Sequence, residues 1–279
     1  MGLKRKLGFI SILVYVGGMA GGQDIVPREI RDLLDSAHLL YDRVVAREAY
    51  ELVSPLVRAY EDIYSTCIDF SSGDYAGGFG VWTSANPGDG KHAIGRTWLD
   101  LGDCSWRITP LDRDVLPRIV LVDPWGRERE IMSADQSTIY WDSSGAESIE
   151  PTGLISVDSR FVEIEALMPE EAGDREISVE TVVKALRLER VRSNATHEVG
   201  PSPWPVWKEA TMPSSECFAY ANFMLQYVPL DGVDSQVLSR IARIGVKPGK
   251  PWPPKGAPAN FIEAINAGVE QARASNGKR

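Results

Sequence analysis

Apolar residues keep two different rhythms along this chain, and the change between them limits the possible folds more than any single motif. From Asp24 to about Tyr64 they recur at three- and four-residue steps, through Ile30, Leu33, Ala37, Leu40 and Val44 and on to Val53, Leu56, Val57 and Tyr60, the stripe of amphipathic helices. Pro55 lacks a backbone donor and breaks or kinks such a run, so two or three helices are predicted here. Gly, Ser and Asn dominate 71–96, which reads as loops around a short strand at 80–83. Short β-prone runs follow at 97–101, 105–109, 118–122, 128–132 and 138–141, separated by turn formers such as Asp123-Pro124-Trp125-Gly126; that spacing predicts an antiparallel meander. After Gly153 helical spacing returns. Ser178 is placed to cap a helix bearing Val179, Val182, Val183, Leu186 and Val191, a Pro/Trp connector covers 200–213, and three helices are predicted near 214–227, 234–244 and 259–274, with Gly245 as the stop of the second. The expectation is an α+β fold in one compact body: N-terminal helices within 23–70, a central antiparallel sheet of about five to six strands within 71–155, and a C-terminal helical layer over 156–279.

Residues 1–22 have the layout of a secretory signal peptide: Lys4, Arg5 and Lys6 form a basic head, Leu7 to Ala20 an uncharged apolar stretch, and Gly18, Ala20 and Gly22 a small-residue cleavage region. The apolar stretch is short of the roughly 20 residues that span a bilayer, so the expected location is the periplasm or the exterior, with an uncleaved membrane anchor as the alternative. Removing the leader takes three of the 30 basic residues and none of the 39 acidic ones, which moves the formal charge from −9 to −12. Nucleic acid is thereby excluded as a partner, since phosphate binding needs a basic stripe. Cys67, Cys104 and Cys217 lie far apart without C-x-x-C spacing; they form no thiolate zinc motif, and either one disulfide or three buried thiols fits them.

Chemical motifs are scarce. No stretch reads G-x-S-x-G, Gly88-Asp89-Gly90-Lys91-His92 lacks the remaining elements of a phosphate loop, and His38, His92 and His197 never stand four residues apart. Nothing calls for a cofactor or a metal. Eight tryptophans are present, five of them in the β block (Trp82, Trp98, Trp106, Trp125, Trp141), where rings either pack the core or line a pocket for a sugar, lipid or aromatic ligand.

Several stretches resemble one known family. Cys217–Leu225 (CFAYANFML), Asp234–Leu238, Ile241–Pro251 (IARIGVKPGKP) and Ala264–Val269 (AINAGV), together with Ala46–Tyr60 (AREAYELVSPLVRAY), Trp98-Leu99-Asp100-Leu101 and Asp123 at a strand end, are similar in order and spacing to the domain-of-unknown-function 1254 family over about 40–272. The resemblance implies a bacterial protein and singles out Asp100 and Asp123. It also shows departures. The family's polar N-D-T-x-Y segment is here Gly90-Lys91-His92-Ala93-Ile94, and its Arg-Tyr-Tyr is Val115-Leu116-Pro117, so a site built on those groups would be altered. Family members are often followed by a jelly-roll domain, and none follows here before Arg279, which implies a separately supplied jelly-roll partner.

Three functional expectations result. The first is an exported accessory or binding protein holding a small apolar, aromatic or sugar-like ligand against Lys91, Trp98, Trp125 and Trp141. The second is a hydrolase with Asp100 and Asp123 as an acid/base pair, helped by His92; against it, strand-end aspartates commonly cap backbone amides. The third is an assembly subunit for a jelly-roll protein.

Overall fold

The computed structural model describes residues 27–84, 93–102, 104–112, 117–131, 137–141, 148–149, 153–167, 179–192, 203–209 and 213–276; the leader, Lys91 and His92 lie outside the described residues. The fold is α+β. Its first element is one helix, α1 (Arg28–Ile63), where two or three were predicted, and it continues into a π-helical turn at Tyr64–Ile68. Pro55 lies inside it. The Glu51 carbonyl that loses its usual amide partner there has the Ser54 hydroxyl 3.5 Å away. Packing decides the matter: Val53, Leu56, Val57, Tyr60 and Ile63 are fully buried on both sides of the proline, and tertiary burial outweighs local propensity.

Two five-stranded sheets follow where one was expected. The first has the order β1 (Thr83–Ser84), β2 (Ala93–Asp100), β9 (Phe161–Leu167), β4 (Arg118–Val122), β5 (Glu128–Ile131) and is antiparallel throughout. The second has the order β10 (Leu186–Arg192), β3 (Cys104–Pro110), β6 (Ser137–Trp141), β8 (Leu154–Val157), β7 (Ser148–Ile149) and contains one parallel pair, β6 with β8. The two sheets face one another. Leu99, Ile119, Leu121, Val162, Ile164 and Ala166 of the first share a core with Trp106, Ile108, Ile139, Ile155, Val157 and Leu186 of the second. Strand side chains alternate between faces, so Trp98 and Phe161 point the other way and join the helical core.

Helices α3 (Cys217–Met224), α4 (Ser235–Arg243) and α5 (Ala259–Asn276) pack on α1 over that outer face, completing three layers: helices, sheet, sheet. Asp234 caps α4 by accepting the Gln236 amide at 2.7 Å, and Gly245, at φ +91°, ends it as predicted. Gly268 in α5 is needed for close approach: a Cβ there would lie 2.3 Å from the Arg43 carbonyl oxygen of α1. The segment after Gly153 departs most from expectation. β8, β9 and β10 are strands, and the predicted helix at 178–191 divides into a short α2 (Val179–Ala185) running directly into β10. The helix-compatible spacing of Val179, Leu186 and Val191 is accidental, because Leu186 and Val191 belong to a strand paired with β3.

Candidate functional site

The last turn of α1 delivers Asp62 onto the outer face of the first sheet. There β2 presents Arg96 and Trp98, and β9 presents Glu163, the cross-strand neighbour of Trp98. Arg96 donates through Nη2 and Nη1 to the two Asp62 oxygens at 2.9 and 3.0 Å, and through Nη1 to Glu163 Oε1 at 3.3 Å. The Trp98 indole N–H adds a bond to Asp62 Oδ2 at 2.7 Å. Asp62 therefore takes a bidentate guanidinium and an indole donor, while Glu163 receives one long bond. One cation thus faces two carboxylates. Burial pushes Glu163 up to about 7, against the pull of Arg96 and with the help of Asp62's charge; its exposure is 8 %. Burial works against the Arg96 charge, but the two carboxylates outweigh it and raise its pKa. Beside them burial pushes the Cys67 thiol up to about 11, which leaves it protonated and unreactive. The void bounded by Asp62, Thr66, Cys67, Arg96 and Trp98 measures about 10 Å³, room for about one water. The Arg96 and Asp62 side chains keep 34 and 25 % of their surface exposed, but the void beside them takes nothing larger than a water.

The two aspartates picked out in the sequence are each occupied with structural bonds. Asp100 accepts the Gly102 amide at 2.8 Å through Oδ1 and a bidentate Arg160 guanidinium at 2.8 and 2.9 Å. Arg160 is itself buried, with the rings of Phe161 and Tyr227 about 5 Å from its guanidinium carbon. Asp123 shapes the β4–β5 turn, accepting the Trp125 and Arg127 amides at 2.9 and 2.8 Å and Arg127 Nε at 2.6 Å. Registers on β9 place Asp100 opposite Phe161 and Val122 opposite Glu163, so two strand spacings, about 10 Å, separate the aspartates. They also face different layers. Asp123 lines a cleft of about 120 Å³ at the end of the two sheets with Leu121, Arg127, Asp158 and Val162, whereas Asp100 shares strand parity with Trp98 on the helical side.

Of the predicted ligand-binding residues, Trp98 is buried against the helices and Trp125 donates its indole N–H to the Pro229 carbonyl at 3.0 Å. The Trp141 side chain lies, like Lys91 and His92, outside the described residues. Both belong to the helical core, Trp98 within it and Trp125 packed against it. The aromatic cluster that does form is a packed interior, centred on fully buried Tyr60, whose hydroxyl donates to the Pro205 carbonyl and whose ring lies within about 6 Å of Tyr64, Trp204, Trp207, Tyr220 and Phe223. All three cysteines are free thiols. Among the described residues no group of three or more His, Cys, Asp or Glu is placed to hold a metal, and no helix is long and apolar enough to cross a membrane.

One surface stands apart. Leu33, Leu40, Tyr41 and Val44 of α1 are 62, 63, 41 and 58 % exposed, and with Ala37 they form an apolar ridge on the first half of the helix. At about 100° per residue, the buried residues Val45, Ala49, Val53, Leu56, Tyr60 and Ile63 share the side that faces the body, and the ridge lies about 180° away. Over the first half, the body-facing side carries Arg31, Asp35, His38 and Asp42 instead. The helix has thus exchanged its faces near Val44. The sequence shows both halves as one periodic stripe, which hides the exchange; following the phase of the stripe exposes it.

The molecule is a three-layered α/β/β protein with a half-buried charged junction between helices and sheet and an exposed apolar ridge on its long helix. No family model matches the chain, and no curated protein matches it. Among solved structures its fold is similar to that of the VPA0106 protein from Vibrio parahaemolyticus, with a TM-score of 0.54 at 14 % identity over 85 % of this chain and 59 % of that one. This chain spans about three-fifths of that protein, and at such identity the likeness concerns the fold alone.

Proposed function

We propose that this chain is an exported accessory protein that acts by docking another protein chain through the first half of α1. The observation that carries this reading is the ridge. Four large apolar side chains, 41 to 63 % exposed, line up on one side of a helix whose opposite side is charged, and contiguous apolar patches of that kind mark interaction surfaces. The two internal sites support it from the other direction. Voids of about 10 and 120 Å³ are well below the roughly 300 Å³ at which ligand pockets begin, and Asp100 and Asp123 are engaged in holding turns and an arginine. A photo-crosslinking side chain placed at Leu40 in the cell-expressed protein is expected to join it to another polypeptide, while the same probe at exposed Glu51 joins none. Absence of any crosslinked product at Leu40 would overturn the reading. Stabilisation of the purified protein by several degrees with a sugar, lipid or aromatic acid would overturn it in favour of small-ligand binding.

A further inference from the structure

Charge is spread unevenly along this acidic chain: residues 235–262 hold five Lys and Arg and no Asp or Glu. Arg240 is bonded to Glu48 of α1. Arg243, Lys247, Lys250 and Lys255 are all exposed, and among the described residues no acid pairs with any of them. Prolines separate the three lysines in sequence, but the fold gathers them. The Lys250 amide donates to the Lys247 carbonyl at 3.3 Å, closing a turn whose ends lie within about 7 Å of each other. Buried Asn222 of α3 fastens that turn, donating to the Gly245 and Lys250 carbonyls at 3.0 and 2.9 Å and accepting the Lys247 amide at 2.8 Å. The chain then doubles back. The Trp252 ring meets Phe218 of α3 edge-on at 5.1 Å, and Pro254 lies against Gly245, so closely that a Cβ on that glycine would stand 2.4 Å from the proline ring. Lys255 is thereby returned to the end of α4, whose last turn carries Arg243. Four cations thus share one corner of the helical layer, on backbone that is bonded and packed.

The surroundings of these cations select their partner. Specific protein interfaces are built around an apolar centre with charge at the rim, yet none of the large exposed apolar side chains falls within 235–262; the exposed neighbours of the cations are Pro248, Pro251 and Pro253. An anionic lipid surface needs no such centre, because each nearby Lys or Arg raises partitioning onto it about fivefold through charge alone. We infer that residues 243–255 form a basic docking surface for the phosphate headgroups of an anionic lipid bilayer. The rest of the acidic chain is repelled by such a surface, so the corner also sets which side of the molecule meets the membrane; acids farther than about 10 Å are screened at 0.1 M salt. This surface is separate from the ridge on α1 and independent of its docking role.

The test is vesicle co-sedimentation of the full mature chain. It is expected to bind phosphatidylcholine vesicles containing about one-third phosphatidylglycerol at about 50 mM salt, to leave them at about 300 mM, and not to bind pure phosphatidylcholine. Combining Lys247→Gln, Lys250→Gln and Lys255→Gln is expected to lower partitioning about a hundredfold. Arg28→Gln, Lys184→Gln and Arg187→Gln together remove the same charge elsewhere and should lower it less than about threefold. All six side chains are exposed, so both variants keep the wild-type urea midpoint. No binding to the anionic vesicles overturns the inference. Equal binding to neutral vesicles does so too, because it assigns the contact to apolar side chains such as the ridge, and equal loss in the two variants assigns it to net charge. Salt-sensitive binding to polyglutamate or duplex DNA that is tighter than binding to the vesicles overturns the lipid assignment in favour of a polyanionic chain.

Discussion

Glu163 offers the sharpest check on the charged junction, because its carboxyl titrates near neutrality in the folded state. Its folded pKa of about 7 stands above the ordinary 4.5, and each unit corresponds to about 1.4 kcal/mol. The sign follows from linkage. Below pH 4.5 the group is protonated in both folded and unfolded chains and its contribution is complete. Between 4.5 and 7 the unfolded chain releases the proton while the folded chain keeps it, so stability falls as pH rises. Above 7 both states are ionised and the loss levels off at about 3 kcal/mol. Glu163→Gln retains the shape and the neutral form, so it removes that loss while leaving every other titration in place. Urea denaturation followed by tryptophan fluorescence at pH 4.5, 5.5, 6.5 and 7.5 is the assay. The two proteins are expected to have nearly equal stability at pH 4.5 and to diverge by about 3 kcal/mol in favour of Glu163→Gln by pH 7.5 and above. Curves that stay parallel, or a wild type that gains on the variant as pH rises, would falsify the account, since the second outcome means that the Arg96 ion pair outweighs burial.

The remaining expectations concern packing and pairing. Asp100→Ala strands the buried Arg160 guanidinium and should destabilise by about 3–5 kcal/mol, whereas Lys184→Ala, at an exposed α2 ion pair with Glu180, should change stability by less than about 1 kcal/mol; equal effects in chemical denaturation would contradict the contrast in burial. Gly268→Ala forces a methyl toward the Arg43 carbonyl and should lower the urea midpoint by the equivalent of about 1–3 kcal/mol, a loss absent from Gly73→Ala, where a Cβ meets nothing within 4 Å and the backbone φ is not positive. Asn222→Ala frees the Gly245 and Lys250 carbonyls and the Lys247 amide and should cost about 2–4 kcal/mol, measured by the urea midpoint. A thiol reagent at pH 8 should leave Cys67 and Cys217 unmodified in the folded protein, their thiols being buried and pushed up to about 11 and 12, and modify all three cysteines in urea.

The α+β class, the five strand runs from Trp98 to Trp141 and the three C-terminal helices were legible because each has strong local signals: turn formers between strands, an aspartate before α4, and glycine after it. What escaped the sequence reading had signals that compete. Leu186 and Val191 fit a helical spacing by chance, while the alternation of Val162, Ile164 and Ala166 with Glu163 and Glu165 in β9 is a plain period of two lost within a region read as helical. That loss also concealed the junction, since only the strand assignment turns Glu163 toward Asp62 and Arg96. Pro55 misled for the opposite reason: its local preference is strong, but the burial on either side is stronger. Asp100 and Asp123 were visible as unusual positions, and only the partners in space, Arg160 and Arg127, distinguish a structural carboxylate from a reactive one.

These observations bear on why a charged junction persists inside the fold. Replacing buried Glu163 and the half-buried Asp62 and Arg96 with apolar groups would remove desolvation penalties, and ion pairs at such depth give little net stability. What they fix is geometry. Asp62 is bound by Arg96 and Trp98, both on β2, and Arg96 also reaches Glu163 on β9, so the end of α1 is tied in angle and register to two neighbouring strands of the first sheet. The other half of the same helix carries the ridge. A long helix transmits orientation along its axis, and anchoring Asp62 therefore sets where residues 28–44 project from the body. On this argument Asp62→Leu should leave the fold and the ridge intact yet alter the direction of α1, and distances by spin labels between position 36 and the sheet, read for the wild type and the variant, decide it: an unchanged, equally narrow distribution means that packing at Val53, Leu56 and Tyr60 alone orients the helix.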